Sequence, residues 1–240
     1  MRKLAVVVAF LAAAPAALAG GFPAGQCTEW AFKMRPEIVV DSMLRNPSLQ
    51  NWNAAHWAAN AKAAGFRVGT TPAVGAIVVW QPHVDGAGAP GHVAYVEKVA
   101  KGSFYISEED FDGSPAVHRR WVKTDGKEQF IYLQPGEHAP TAPLSLAGTL
   151  QALSATGSFA AGPASATDVQ LQLDAPAIVG LKISGPNVDK SVSWTFQAGT
   201  WNIGLDKLAG AASLPAGTYT ITAMPYSTTV YWRSVQIHLA

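Results

Sequence analysis

Apolar and polar positions follow two different patterns along the chain, and the change falls near residue 134. Before it, helical and strand-like segments are mixed. Residues 27 to about 34 have the pattern that opens a helix. The alanine-rich stretch 52–64 predicts a second helix, which ends at Gly65 because glycine is a good helix stop.

Short apolar runs bounded by Gly and Pro follow these helices and predict strands. The runs cover residues 76–80, 93–99, 104–108 and 130–133. The second and third face each other across Lys101-Gly102-Ser103, which predicts a hairpin. Helices first and strands afterwards favour an α+β domain for this half of the chain.

A proline-rich segment separates this half from the rest. Residues 134–145, "QPGEHAPTAPLS", hold three prolines and no periodicity, which is typical of a linker. Beyond it, strand-like runs at 169–173, 177–183, 191–196, 218–223 and 230–237 alternate with Gly, Pro, Asn or Asp. This spacing predicts an antiparallel β-sandwich. The expected domains are residues 20–134 and 146–240, joined by a linker at 135–145.

The first 19 residues have the three parts of a secretory signal. Arg2 and Lys3 supply the positive end, residues 4–14 the apolar run, and Ala17-Leu18-Ala19 the small-x-small pattern before a cut at Gly20. The apolar run is shorter than the roughly 20 residues that span a bilayer. We therefore expect no membrane insertion and a secreted, periplasmic or cell-wall-associated protein.

Composition narrows the classes of function. The net charge is +1 and charged residues make up 14%, so no basic surface is expected for nucleic acid. A single cysteine excludes an intrachain disulfide framework and a zinc site of paired cysteines. Nothing in the pattern calls for a metal or an organic cofactor.

That single cysteine, Cys27, is a candidate nucleophile. It opens the first predicted helix in "GQCTEW". A helix N-terminus favours a thiolate over a thiol, and its free N–H groups could stabilise an oxyanion. The alternative is a small buried apolar side chain. An unpaired thiol in an exported protein makes catalysis an equally good interpretation.

His92 is the histidine best placed to act as a base. It follows Gly91 at the start of a predicted strand in "APGHVAYVEKV", a rigid position from which to orient an imidazole. The alternative is a histidine that only begins the strand. The remaining histidines are interpreted as surface, packing or loop residues: His56, His83, His118, His138 and His238.

A catalytic histidine needs a third group to orient it. Glu108 ends the next predicted strand, and strand residues alternate between faces. A three-residue hairpin loop would put His92 and Glu108 on one face, whereas a two-residue turn would separate them. Even with the three-residue loop, His92 and Glu108 are offset along the strands, so twist or a bulge is required to bring them into contact. The sequence alone leaves both turns open.

These residues resemble the CHAP domain, the cysteine/histidine-dependent amidohydrolase/peptidase module of bacterial cell-wall enzymes. The resemblance runs in order through "GQCTEWA", "NAAHWAANAKAAGF", "TPAVGAIVVWQP", "GHVAYVEKV" and "ISEED", across residues 22 to about 135. It implies a papain-like α+β fold, with a helix carrying the cysteine against an antiparallel sheet carrying the histidine.

The resemblance also implies roles for individual residues. Cys27 matches the nucleophile, His92 the general base, and Glu108 the acidic orienter in a Ser-Glu-x-Asn run that here reads Ser107-Glu108-Glu109-Asp110. Asp110 stands where the family has Asn, and its charge would tend to raise the basicity of His92. Asp110 and Gln26 are therefore secondary candidates for the site.

The implied function is hydrolysis of an amide bond in peptidoglycan, by an N-acetylmuramoyl-L-alanine amidase or a stem or cross-bridge endopeptidase. Two alternatives stay open: a peptidoglycan-binding protein without catalysis, and an exported antibacterial toxin. Among the nearby aromatic residues, Trp30 and Trp57 are expected in the core, whereas Trp80 is the one expected to contact substrate. The second half resembles an immunoglobulin-like extracellular domain, particularly at "LPAGTYTIT", and is expected to bind cell wall or a partner, or to act as a spacer.

Overall fold

The structure, a computed structural model, describes residues 22–111, 113–144, 148–157, 162–227 and 232–240. The predicted signal at residues 1–19 lies outside the described residues. Within the described ranges the chain divides into two compact units. One comprises residues 22–144 with 226–227, and the other comprises residues 148–225 with 232–240.

The first unit begins with helices, and a proline sets the boundary between the first two. Helix α1 is Cys27–Met34, α2 is Pro36–Arg45, a 3₁₀ turn covers Ala54–His56, and α3 is Trp57–Ala63. Helix α1 stops because Arg35, with φ −140°, precedes a proline, and Pro36 then takes the first position of α2. The sequence did not predict α2, since its run Ile38-Val39-Val40 has no strong helix preference.

Six antiparallel strands form one sheet in this unit. They are β1 (Val68–Gly69), β2 (Ile77–Trp80), β3 (His92–Ala100), β4 (Ser103–Glu108), β5 (His118–Lys123) and β6 (Gln129–Ile131). Their spatial order is β1-β6-β2-β3-β4-β5. Every residue of β2 is buried, as are the first five of β3, and α1 packs against β3. The sheet is therefore covered where β3 begins.

The β3–β4 hairpin resolves the turn that the sequence left open. Ala100 pairs with Ser103, so the turn is the two-residue one, Lys101-Gly102. A bulge between Val96 and Lys98 then shifts the register by one residue. A two-residue turn alone would put His92 and Glu108 on opposite faces of the sheet. The bulge brings them onto the same face, because one extra residue in a strand moves the side chains beyond it to the other face relative to the partner strand.

The predicted linker is ordered as far as it is described. The hydroxyl of Tyr95 donates to the carbonyl of Pro140 at 2.6 Å. The N–H of Leu144 donates to the carbonyl of Lys33 at 2.9 Å. The segment up to residue 144 is thus attached to the first unit.

The second unit is built almost entirely of antiparallel strands. Its strands are β7 (Leu150–Gly157), β8 (Gly162–Pro163), β9 (Thr167–Leu173), β10 (Ala177–Gly185), β11 (Val188–Phe196), β12 (Gly199–Gly204), β13 (Ser213–Leu214), β14 (Gly217–Pro225) and β15 (Arg233–Leu239), with one short helix, α4 (Leu205–Ala209). A four-stranded sheet (β11-β10-β14-β15) and a three-stranded sheet (β12-β9-β7) enclose one apolar core. The sequence predicted β9, β10, β11, β14 and β15. It did not predict β7 and β12, because their apolar residues do not form continuous runs.

No helix among the described residues combines the length and apolar character needed to cross a membrane.

Candidate active site

Cys27 is the first residue of α1. Gly25, with φ +77°, and the extended Gln26 turn the chain into the helix. The N–H of Gly25 donates to Oε2 of Glu29 at 2.7 Å, which braces this turn from within the helix. Cys27 retains 9% exposure. The sulfur therefore sits at the positive end of the helix dipole.

The first turn of α1 also supplies free backbone donors. The N–H groups of Glu29 and Trp30 donate to the carbonyl of Gln26, at 2.9 and 3.2 Å. The N–H groups of Cys27 and Thr28 come earlier in the turn and have no helical carbonyl to reach. They are the donors available to an anionic oxygen next to the sulfur.

His92 begins β3, and Gly91 allows the chain to enter there. Gly91 has φ +79°, and a Cβ on it would lie 2.7 Å from the carbonyl oxygen of Trp80 and 2.8 Å from the nitrogen of Ala55. Opposite His92, Trp80 pairs with it in the sheet. The two rings lie 5.8 Å apart, and the ring of Phe111 meets the imidazole edge-on at 5.4 Å. Only 4% of His92 is exposed, so its ring is held by packing.

The two nitrogens of the His92 ring serve two partners. Nε2 lies 2.8 Å from Oε2 of Glu108. The side chain of Cys27 interacts with the same ring. Because Nε2 is engaged by the carboxylate, Nδ1 is the ring nitrogen left to interact with the sulfur. Cys27, His92 and Glu108 thus form one row of interacting side chains.

Glu108 is fully buried, and Arg120 neutralises it. Nε of Arg120 donates to Oε1 of Glu108 at 2.5 Å, and a second guanidinium nitrogen lies 3.4 Å from Oε2. The guanidinium also stacks over the ring of Phe111, with its carbon 3.9 Å from the ring centre. A buried carboxylate needs such a partner, since an unpaired charge is costly to bury.

Burial and contacts act in opposite directions on the pKa values of this row. Burial alone would lower the pKa of His92, but hydrogen bonds and charge interactions with Cys27 and Glu108 outweigh it and raise this pKa to about 9. Burial would raise the pKa of Glu108, yet its bonds to His92 and Arg120 hold that pKa below its usual value. His92 is therefore protonated at neutral pH and Glu108 is ionised.

Asp110 and Gln26, the secondary candidates, are not part of this row of contacts. Asp110 adopts φ +58°, and its N–H donates to the carbonyl of Ser114 at 3.0 Å. Among the described residues no hydrogen bond joins Asp110 to His92. Gln26 is exposed directly before Cys27. The family-based roles of Asp110 and Gln26 stay predictions.

The prediction for Trp80 is wrong, whereas those for Trp30 and Trp57 are confirmed. Trp80 is 2% exposed and packs on His92 and Phe104, so it supports the imidazole from the core side. Trp57 is fully buried, and Trp30 is buried with its Nε1 donating to Oγ of Ser107 at 3.1 Å. The aromatic signal in the sequence did not distinguish a core ring from a substrate contact.

Sequence reasoning also missed Arg120 and Phe111. In "VHRRW" two arginines are adjacent, and only the alternation of side chains along β5 distinguishes them. The exposed Arg119 pairs with the half-buried Glu97, whereas Arg120 reaches Glu108. The alternation of faces along a strand was the sequence signal available for distinguishing the two arginines. A strand assignment at 118–123 would have put the two arginines on opposite faces, but only the register of β4 and β5 shows that Arg120 lies on the Glu108 side.

One group of acidic side chains offers ligands of the type that a cation prefers. Within the described residues, oxygens of Asp85, Asp125 and Glu128 lie within 4.8 Å of one another. The carboxylate of Glu128 already accepts the N–H groups of Asp125 and Gly126, and Asp125 pairs with Lys127. Local loop contacts account for this cluster.

Part of the chain is similar in sequence to known proteins. The family model described as "CHAP domain" matches residues 18–110. "Probable autolysin SsaALP" of Staphylococcus aureus is 38% identical over 96 residues, covering 39% of this chain and 32% of the relative. "N-acetylmuramoyl-L-alanine amidase sle1" of Staphylococcus haemolyticus is 37% identical over 94 residues, covering 39% of this chain and 26% of the relative.

Among solved structures, the N-acetylmuramoyl-L-alanine amidase from Staphylococcus aureus is similar with a TM-score of 0.38 and 26% identity. It covers 46% of this chain and 31% of that protein, and at this score the likeness carries no argument about the fold. The chain spans about a third or less of the length of these relatives. On the sequence match and its motifs, residues 18–110 of the chain are a CHAP domain.

Proposed function

We propose that this protein hydrolyses an amide bond of peptidoglycan, with Cys27 as nucleophile, His92 as general base and acid, and Glu108 as the residue that orients His92. The observation that carries the proposal is the row of these three interacting side chains, with Cys27 at the start of α1 and Glu108 bonded to His92. The CHAP match and the names of the relatives, autolysin and N-acetylmuramoyl-L-alanine amidase, support the same reaction class.

In the proposed first step the sulfur attacks the amide carbon as a thiolate beside the protonated imidazole. A carbon–sulfur bond forms and the carbonyl oxygen becomes an oxyanion. The N–H groups of Cys27 and Thr28 are the proposed donors to this oxygen. Glu108 keeps the imidazole in place and stabilises its positive charge.

The tetrahedral intermediate then collapses. The carbon–nitrogen bond breaks, and His92 gives its Nδ1 proton to the leaving amine. The acyl group remains on Cys27 as a thioester. His92, now neutral, removes a proton from a water molecule that attacks the thioester, and the carboxylic acid product leaves while the thiolate–imidazolium pair is restored.

The names of the relatives favour one bond. Two of them are named for cleavage between N-acetylmuramic acid and L-alanine, so we place this bond first and the stem or cross-bridge peptide bonds second. A binding protein without catalysis, or a toxin with the same chemistry and a foreign target, remain the alternatives. The intact row of Cys27, His92 and Glu108 favours an enzyme over a binding protein.

We further propose that the protein acts outside the cytoplasm, as the predicted N-terminal signal indicates, and that the first unit is papain-like in its arrangement of helix and sheet. For the second unit we propose an immunoglobulin-like sandwich that holds the enzyme on the wall or on a partner. Its two sheets around one core support this proposal.

Digestion of purified peptidoglycan tests the function. The wild-type protein should release new amino groups, and mass spectrometry of the fragments should identify an unblocked L-alanine if the muramoyl bond is cut. Cys27→Ser and His92→Ala should release none while keeping the wild-type circular dichroism spectrum. Undiminished release by either folded variant would overturn the assignment.

A further inference from the structure

Glu109 carries a buried carboxyl group that the proposed mechanism does not use. It directly follows β4, and only 6% of the residue is exposed. Its Oε2 is buried and has no hydrogen-bond partner among the described residues. Because an unpartnered charge is costly to bury, this position favours the uncharged carboxylic acid. Burial accordingly raises the pKa of Glu109, with Lys33 acting against this shift and Glu29 adding to it.

Glu109 lies on the side of the sheet that α1 covers. Side chains alternate along β4, so Ser107 and Glu109 share one face, opposite to Glu108. Nε1 of Trp30 in α1 donates to Oγ of Ser107 at 3.1 Å. The first turns of the helix therefore lie against the segment that carries Glu109.

One ion pair of α1 supplies the charges that act on Glu109. Glu29 and Lys33 lie one turn apart, and Nζ of Lys33 is 2.7 Å from Oε1 of Glu29. The other titratable groups on the elements around Glu109 are Glu108 of β4, Asp110 of the following loop, and His118 and Arg119 of β5. Arg119 pairs with Glu97. Lys33 is thus the cation that two buried acids share.

Glu29 in turn holds the backbone that leads into the proposed nucleophile. Its Oε2 accepts the N–H of Gly25 at 2.7 Å, two residues before Cys27. Glu29 is only 7% exposed, so this N–H and Lys33 compensate its buried charge. Displacement of Glu29 would release the positive-φ backbone at Gly25 and, with it, the start of α1.

The loop that follows Glu109 reaches the same turn. The N–H of Asp110 donates to the carbonyl of Ser114 at 3.0 Å and joins the two ends of this loop. Pro115 then packs on Gly25, since a Cβ on Gly25 would lie only 2.5 Å from Cβ of Pro115. The segment after β4 thus meets this turn both through the charges of α1 and through Pro115.

Ionisation of Glu109 would disturb this arrangement through its charge. It would place two buried negative charges beside one lysine, in surroundings where Coulomb repulsion is stronger than in water. The repulsion is relieved when the carboxylate of Glu29 moves outward, away from the N–H of Gly25. The uncharged form of Glu109 therefore keeps the turn in place, and the charged form loosens it.

We propose that Glu109 is a positioning residue for Cys27. Its uncharged carboxyl group leaves Glu29 bound to Gly25, and its ionisation weakens that bond. The proposal rests on the proposed function for the role of Cys27 as nucleophile. It adds a pH dependence to the site, because the turn before Cys27 is held while Glu109 is protonated and loosens as rising pH ionises it.

NMR titration of the protein tests this coupling without any substrate. The amide proton of Gly25 should move upfield as the side-chain carboxyl carbon of Glu109 titrates, and the two midpoints should agree. Glu109→Gln, which keeps the side chain uncharged, should hold the Gly25 shift constant over the same pH range. Glu97→Gln is the matched control, since Glu97 pairs with the exposed Arg119 in the same sheet, and it should leave the Gly25 titration as in the wild type.

Two results of this titration overturn the proposal. Different midpoints for Glu109 and Gly25 in the wild type would show that the two groups are not coupled, and this comparison requires no variant to fold. An equal shift of Gly25 in Glu109→Gln would show that Glu29 titrates by itself.

The pH dependence of hydrolysis tests the consequence for Cys27. In the wild type, kcat on solubilised peptidoglycan should fall about three- to tenfold as Glu109 ionises, the loss expected for one hydrogen bond. Glu109→Gln should lack this fall and lose activity only where His92 loses its proton. A fall that persists unchanged in Glu109→Gln overturns the proposal. If Gly25 titrates as expected but the wild type cuts no peptidoglycan, the proposed function fails and the coupling of Glu109 to the turn stands.

Discussion

His92 contacts Glu108 although the two residues do not lie opposite each other in the hairpin. The turn Lys101-Gly102 alone would put them on different faces of the sheet, and the bulge at Glu97 brings them onto the same one. Nε2 of His92 then reaches Oε2 of Glu108 at 2.8 Å. One inserted residue in β3 thus aligns the imidazole with its carboxylate.

Glu108→Gln should lower kcat about 100-fold, because the imidazole loses the charge that stabilises its protonated form. The alkaline limb of the activity profile should move to lower pH for the same reason. Glu97→Gln is the matched control, since Glu97 lies in the same hairpin but pairs with the exposed Arg119. A normal pH profile in Glu108→Gln would contradict an orienting and charge-stabilising role.

Arg120→Gln should destabilise the first unit by about 2 kcal/mol, because the buried carboxylate of Glu108 loses its guanidinium partner. It should also move the acid limb of the activity profile to higher pH, since the pKa of Glu108 rises without Arg120. Arg119→Gln, at the preceding position of the same strand, breaks only the exposed ion pair with Glu97 and should lower the free energy of unfolding by less than about 0.5 kcal/mol. Urea unfolding and the pH–rate profile measure the two effects. If Arg120→Gln loses stability but keeps the wild-type acid limb, Arg120 is structural only.

Protonated His92 should stabilise the fold in a defined pH window. Its pKa is about 9 in the folded protein against 6.5 for the free side chain, so the contribution is complete below about pH 6.5 and is lost as pH rises through 9. The difference in unfolding free energy between wild type and His92→Gln should therefore shrink by about 3 kcal/mol from pH 6 to pH 10. A difference that stays constant over this range would mean that folding does not raise the pKa of His92.

Gly91→Ala should cost about 2–4 kcal/mol, because the added Cβ meets the carbonyl of Trp80 and the nitrogen of Ala55 in a backbone with positive φ. Gly102→Ala has a similar φ of +72° but nothing within 4 Å, so it should cost only about 1 kcal/mol. Thermal unfolding of the pair separates the steric effect from the conformational one. Equal losses in the two variants would show that the close approach at Gly91 is unimportant.

The sequence predicted much of this arrangement because local signals agreed with the tertiary structure. Helix α1 begins at Cys27 as expected, and the strands that carry His92 and Glu108 lie within one residue of their predicted bounds. Glycine positions were informative as well, since Gly65 ends α3 and Gly91 permits the approach of Ala55. Each of these features is encoded within a few residues.

Features that depend on long-range pairing were not predictable. The bulge at Glu97 has no local signature, so the relation of His92 to Glu108 stayed open until the register was known. Arg120 differs from Arg119 only in the face of β5 on which it lies. The sequence predicted that Trp80 contacts substrate, but its strand is buried on both faces. Tertiary context decided each case.

The reactivity of Cys27 tests the central claim most directly, since it is the only thiol in the chain and every label reports on it. If the sulfur is held as a thiolate beside protonated His92, iodoacetamide should alkylate native protein at pH 6.5 at a rate close to that at pH 9, as mass spectrometry of the intact protein would measure. In His92→Ala the rate at pH 6.5 should fall at least about tenfold below that at pH 9, as for an ordinary cysteine. A wild-type protein with the same steep pH dependence as His92→Ala would contradict the account.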